Sequence, residues 1–329
     1  MLNNYYLLSD LIHKIIQKNL ADQAIKDLIY KAQTIGNIEP IEYMIPYPST
    51  QALIEGQNIK FGDQIIYKDH NITNIDFYRL IQQTAHWLSE QGIKPKDNVI
   101  IEENEFPQTE LMLFGLWHMG ARGTILENKN VKIDKTLALK ILHKESNLIE
   151  KISSYPKNFE PEHKALLSET AINIISDKGI IFLSHYGLLV NTNSLQKALE
   201  LKPGVSLFCD IPPTSSSWVV MKVLLPIYSR CIYTKKNPSI IITFKDIEKG
   251  TGFQLRKDWE NLEGFRDYHI GVCTENTAAF CIGKTPMHLT DFKIKNEKLW
   301  VKGHSVMNGY LNQNKNKVSF KNDYLIIQN

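Results

Sequence analysis

From Asp69 to Asn128 the apolar residues change their spacing in an order that few folds accommodate. Phe77, Leu80, Ile81, Ala85 and Leu88 recur at helical spacing, Gly92 stands where a helix C-terminus takes a left-handed residue, and Val99-Ile100-Ile101 is a short apolar run. The Lys94-Pro95-Lys96-Asp97 turn joins helix to strand, and a second helical stretch then ends at Gly120. Strand, helix, strand, helix is the order of a parallel sheet covered by helices, so the sequence predicts an α/β protein.

Ala165 to Asn191 reads ALLSETAINIISDKGIIFLSHYGLLVN. Two apolar runs flank Ser176-Asp177-Lys178-Gly179, which predicts a hairpin or paired strands over Ile172 to Ile181 with that tetrapeptide as the turn. Ser184 and His185 have the residue types of a nucleophile and its base. Neighbours on a strand point to opposite faces and no carboxylate is evident to orient the imidazole, so structural use is expected. Glu102, Glu103 and Glu105 follow a strand, where they either face a site or lie in a solvated loop; the loop is the expectation.

At 329 residues, 43% hydrophobic, the chain can bury one large core or two moderate ones. The net charge of +3 gives no argument for nucleic acid or membrane, and the Lys-rich pieces Lys235-Lys236 and Lys315, Lys317, Lys321 read as solubilising charge. The longest apolar candidate, Trp218 to Tyr228, is interrupted by Lys222 and Pro226, and the N-terminus lacks the basic-then-apolar order of a secretion signal. A cytoplasmic protein is expected. Cys209, Cys231, Cys273 and Cys281 lie in or beside apolar runs without metal-ligand spacing and read as reduced core residues.

The first fifty residues form a unit of their own. Leu7, Leu8, Leu11, Ile12, Ile15, Ile16 and Leu20, then Ala24, Ile25, Leu28 and Ile29, predict two amphipathic helices or one bent helix. Their apolar stripe either packs on the rest of the chain or serves as a docking or dimerisation arm. Ile45-Pro46-Tyr47-Pro48-Ser49 reads as a linker.

Outside those fifty residues, in Asp69 to Asn128, in Ala165 to Asn191 and in three stretches further on, the residues resemble the adenylate-forming superfamily of acyl-CoA synthetases, fatty acyl-AMP ligases, nonribosomal adenylation domains and luciferases. Asp69 to Asn128 is similar to that family's opening unit, and Leu207 to Tyr233 to the strand and Pro-rich turn before the helix of the acyl or amino-acid pocket, with Thr214 to Ser217 where relatives place a His or aromatic. Gly271 to Pro286 is similar to the Tyr-Gly-x-Thr-Glu motif, and Leu299 to Tyr310, LWVKGHSVMNGY, to the strand and turn before the hinge. The family's phosphate loop reads roughly Thr-Ser-Gly-Thr-Thr-Gly-x-Pro-Lys-Gly. Aligned without a gap on Lys178-Gly179 it falls on Thr170 to Gly179, where both loop glycines become Ile172 and Ile175 and the proline becomes Asp177. A β-branched residue forced to positive φ costs about 1–3 kcal/mol, and its side chain would fill the phosphate position.

The resemblance implies two lobes with largely parallel sheets flanked by helices, plus a smaller β-rich C-terminal part. Residues 1–50 would be a helical extension, 51–277 the reduced α/β core and 278–329 the β-rich subdomain ending at the family hinge. Thr170, Lys178, Thr274, Glu275 and Asn329 fall on nucleotide-site positions of the family, Glu275 on the residue that helps hold magnesium and Asn329 on the ribose-binding Asp. No catalytic residue and no metal ligand is assigned. The family's mobile C-terminal domain, which carries a catalytic lysine, is expected to be missing. The expectation is a pseudoenzyme without cofactor that binds a protein partner, such as an active homologue, a carrier protein or a biosynthetic enzyme, with homodimerisation through the N-terminal helices as a further option. The alternatives are a carboxylate-AMP ligase using ATP and magnesium with the missing domain supplied in trans, and a small-molecule carboxylate-binding protein.

Overall fold

The computed structural model describes residues 22–128, 130–131, 137–250, 252–311 and 319–328. Helix α1 (22–33) leads through a linker to α2 (Thr50–Phe61), the paired strands β1 (Ile65–Tyr67) and β2 (Ile72–Thr73), and α3 (Asn74–Glu90). Then come β3 (Asn98–Ile101), α4 (Gln108–Met119), β4 (Arg122–Leu126), β5 (Leu139–Leu142) and α5 (Leu148–Ile152). β6 (Thr170–Ser176) and β7 (Gly179–Ser184) form a hairpin that feeds α6 (His185–Ala198). After β8 (Ser206–Asp210), a π-helical stretch over Trp218–Leu224 runs into α7 (Leu225–Tyr228), followed by β9 (Ile232–Tyr233), β10 (Ile240–Thr243), β11 (Gly252–Arg256) and β12 (His269–Val272). The chain continues with β13 (Ala279–Ile282), β14 (Thr285–Pro286), β15 (Thr290–Lys295), β16 (Lys298–Gly303), β17 (Gly309–Tyr310), β18 (Ser319–Lys321) and β19 (Tyr324–Ile327).

Three sheets result. A six-stranded sheet has the order β17-β7-β6-β4-β3-β5, its β5, β3, β4 and β6 parallel. A nine-stranded sheet, β14-β13-β12-β11-β10-β8-β9-β1-β2, is parallel from β12 to β1. A four-stranded antiparallel sheet, β15-β16-β19-β18, packs beside them. The two large sheets and their helices are the α/β lobes that the βαβα order predicts.

Local chemistry explains the first lobe. Thr73 caps α3 in a reciprocal box with Asp76, and Gly120 closes α4 in the left-handed region at φ 78°. Phe77, Ile81, Ala85 and Leu88 bury the face of α3 read from their spacing. α4 crosses α3 closely because Gly115 has no side chain: a Cβ there would stand 2.7 Å from Thr84 Cγ2.

Among the described residues every element from Ala279 onward is a strand. β13 and β14 extend the nine-stranded sheet through Gly271↔Cys281 and Cys281↔Pro286 pairing, and the separate antiparallel sheet starts at Thr290. Between Tyr233 and Gly271 the chain holds β10 and β11, with no helix among the described residues that join them. At the N-terminus, α1 packs on the body through Ile29 and Ala32, and Gln33 Nε2 donates to the carbonyls of Val306 and Met307. The apolar stripe from Leu7 to Leu20 and the dimerisation arm it suggested lie outside the described residues.

Candidate functional site

In open α/β sheets, ligands bind at the carboxyl ends of the strands, where connecting loops leave a crevice. Here such ends from both large sheets meet. Glu127 follows β4, Lys257 follows β11, and Cys273-Thr274-Glu275 follow β12. Ser176 and Lys178 come from the β6–β7 turn, and Ser215 and Ser217 from the loop after β8. Together they line a cavity of about 120 Å³.

The cavity wall is held by its own hydrogen bonds. Thr274 Oγ1 donates to Glu127 Oε1 at 3.4 Å, and Lys178 Nζ donates to the Gln328 carbonyl at 3.0 Å. Glu275 is buried, and both its carboxylate oxygens are taken: Tyr310 OH donates to Oε1 at 2.8 Å and Cys273 Sγ to Oε2 at 3.0 Å. Burial raises the Glu127 pKa, with Lys257 opposing and Glu275 reinforcing the shift. Burial and the Glu275 carboxylate likewise push up the Cys273 thiol and the Tyr310 phenol. The buried Ser215 Oγ has no partner. Among the described residues no cluster of three His, Cys, Asp or Glu is placed to hold a metal.

Of the residues singled out from sequence, Lys178, Thr274 and Glu275 converge on this cavity. Thr170 does not: it pairs with Ser184 at the opposite end of β6, about 20 Å away at ~3.3 Å per strand residue. Asn329 lies outside the described residues. Ile172 and Ile175 are strand residues pairing with Leu183 and Ile180, and the connection is Asp177 and Lys178 alone, closed by the Ser176↔Gly179 pair. The gap-free alignment of a phosphate loop onto Thr170 to Gly179 is therefore replaced by a shortened loop: those residues stay extended because both faces of β6 are buried.

Glu127, Lys257, Ser215 and Ser217 were not picked out as site residues in sequence. The signal for Glu127 is positional, a charged residue directly after the apolar Ile125-Leu126 end of β4, whereas Lys257 follows Arg256 and carries no such signal. Ser184 Oγ caps α6 by accepting from Gly187 N, and buried His185 lies with Nδ1 2.8 Å from Thr50 Oγ1, so both are structural. Glu102, Glu103 and Glu105 are exposed. The four cysteines are free and buried.

No family model matches the sequence, and no curated protein matches it. Solved structures do. Unliganded o-succinylbenzoate coenzyme A synthetase (MenE) of Bacillus subtilis superimposes with a TM-score of 0.67 at 13% identity, covering 83% of this chain and 75% of that one. The fold is that of the adenylate-forming enzymes. NpsA-ThdA, an artificially fused adenylation-PCP di-domain from Klebsiella oxytoca, gives 0.65 at 12% identity over 86% of this chain and 68% of its own. A long-chain-fatty-acid-CoA ligase (FadD1) of Archaeoglobus fulgidus gives 0.64 at 13%, covering 87% and 83%. Within the adenylate-forming fold, the cavity of Lys178, Thr274 and Glu275 lies between the two large sheets. No helix among the described residues is long and apolar enough to cross a membrane.

Proposed function

We propose that this chain is a degenerate version of the adenylate-forming fold, a pseudoenzyme that acts by binding a protein partner in a pathway of acyl, aryl or amino-acid activation. The observation that carries this reading is the Asp177-Lys178 turn. A triphosphate needs a loop of glycines whose N–H groups can converge on it, and a tight turn between two buried strands offers no such cradle. The rest of the cavity supports the same reading. Its 120 Å³ is well below the roughly 300 Å³ at which small-molecule pockets begin. The Lys178 ammonium is tied to a main-chain carbonyl and both Glu275 oxygens to Tyr310 and Cys273, so the residues that would meet magnesium ATP do not fit it. Losing even one positioned donor to a developing charge costs an enzyme about 10²–10³ in rate.

Calorimetric titration with ATP and magnesium tests the proposal. Binding no tighter than about 1 mM is expected; micromolar binding overturns it. Affinity capture from the native host, with the bound protein identified by mass spectrometry, then names the partner. The ligase reading draws on the meeting of Lys178, Thr274 and Glu275 at one cavity, and carboxylate-dependent pyrophosphate exchange over acyl, aryl and amino acids would establish it.

A further inference from the structure

The four-stranded sheet has one apolar and one basic face. Leu299, Val301, Leu325 and Ile327 turn inward and are buried. The alternate residues form rows across the strands. One row runs Asp291, Lys302, Tyr324, Lys321 and the next Lys293, Trp300, Ile326, Ser319, with Lys295 opposite Lys298 beyond them. Five lysines thus share a face with one acid, Asp291, which accepts from Tyr324 OH. The acids at its ends, Glu297 and Asp323, lie in the two turns.

The lysines are placed by the rings between them. Lys293 Nζ stands 3.6 Å from the Tyr324 ring centroid and 5.3 Å from that of Trp300. Lys302 Nζ is 5.2 Å from Tyr324, and Lys295 Nζ 5.8 Å from Trp300. Cation–π attraction therefore gathers three ammoniums around two rings, where they outnumber the single carboxylate of Asp291. The indole Nε1 of Trp300 is a buried donor without an acceptor.

We infer that this face docks an acidic segment of a partner protein. Carboxylates suit compact ammonium charges held in place beforehand. Single-stranded nucleic acid, the other polyanion a basic sheet can take, stacks its bases on open aromatic rings, and here lysines already stand over both. The inference builds on the partner-binding role proposed above and supplies its surface.

The test uses the full chain and labelled poly-L-glutamate, followed by fluorescence anisotropy at low and physiological ionic strength, with oligo-dT in parallel. The native chain binds polyglutamate more tightly than oligo-dT, and K293E/K295E/K302E weakens that binding by about tenfold or more. The control K235E/K236E/K249E, with the same charge change on exposed residues elsewhere, changes it less than about twofold. Thermal melts verify folding, and K293Q/K302Q replaces the triple variant if it melts early. Equal loss in the control, tighter binding of oligo-dT, or no polyglutamate binding at low salt overturns the inference. Micromolar ATP binding alongside polyglutamate binding would remove the pseudoenzyme reading and leave the face standing.

Discussion

Tyr310 reaches from β17 to donate its phenolic hydrogen to buried Glu275 at 2.8 Å, joining the strand pair β17–β7 to the loop after β12. Removing the hydroxyl leaves a buried carboxylate oxygen without that donor, at a cost of about 1–3 kcal/mol. Tyr310→Phe should therefore lower the urea midpoint with an unchanged denaturant slope, as measured by equilibrium unfolding. A midpoint equal to that of the native chain would mean that water replaces the phenol.

Ile172 separates a strand from a loop experimentally. It is fully buried in β6, and Ile172→Ala should cost about 2–5 kcal/mol through lost burial and the cavity left behind. A residue in an exposed ligand loop would cost a small fraction of that. Thermal or chemical unfolding decides between them.

His185 gives the protein a pH dependence. Burial lowers its pKa to about 4, with Glu169 opposing and Arg122 and His163 reinforcing the shift. The unfolded chain takes up this proton near the ordinary histidine value of about 6.5, whereas the folded chain resists until about 4. The contribution is thus complete above about 6.5 and falls as pH drops through the window toward 4. At 1.36 kcal/mol per pH unit the loss is on the order of 3 kcal/mol. His185→Gln should flatten the stability profile in that window, and denaturant titrations from pH 4 to 7 measure it.

Gly115 sets the approach of α3 and α4. A valine there would meet Thr84 Cγ2 and Leu88 Cδ1, at 2.7 and 3.1 Å from the new Cβ, and should lower stability by about 1–3 kcal/mol. Differential scanning calorimetry should show a reduced melting temperature. The compensating change Thr84→Ala should recover part of the loss, and independent effects of the two changes would argue against direct contact.

Much of the architecture is legible from short stretches of chain. The face of α3, the stop at Gly92, and the Ser176-to-Gly179 turn each depend on residues within a few positions of one another, and periodicity and turn chemistry act at that range. The strands of β10 and β11 are less legible, because each is short and separated from its partners by irregular loops. The gap-free loop alignment misled because it matched Lys178-Gly179 while ignoring the continuous apolar run that keeps Thr170 to Ser176 extended.

The candidate site was legible only in part. Lys178, Thr274 and Glu275 stand in recognisable motifs, but Glu127 meets Thr274 across 147 positions of sequence. The order of residues along the chain settled the fold class, the hairpin and the helix ends, because these follow from steric and hydrogen-bonding preferences of neighbouring residues. Packing of the two large sheets settled which carboxyl ends share a cavity, which charges shift one another, and that Glu275 is held by Tyr310. Such contacts depend on strand order and register, quantities to which no local pattern in the chain corresponds.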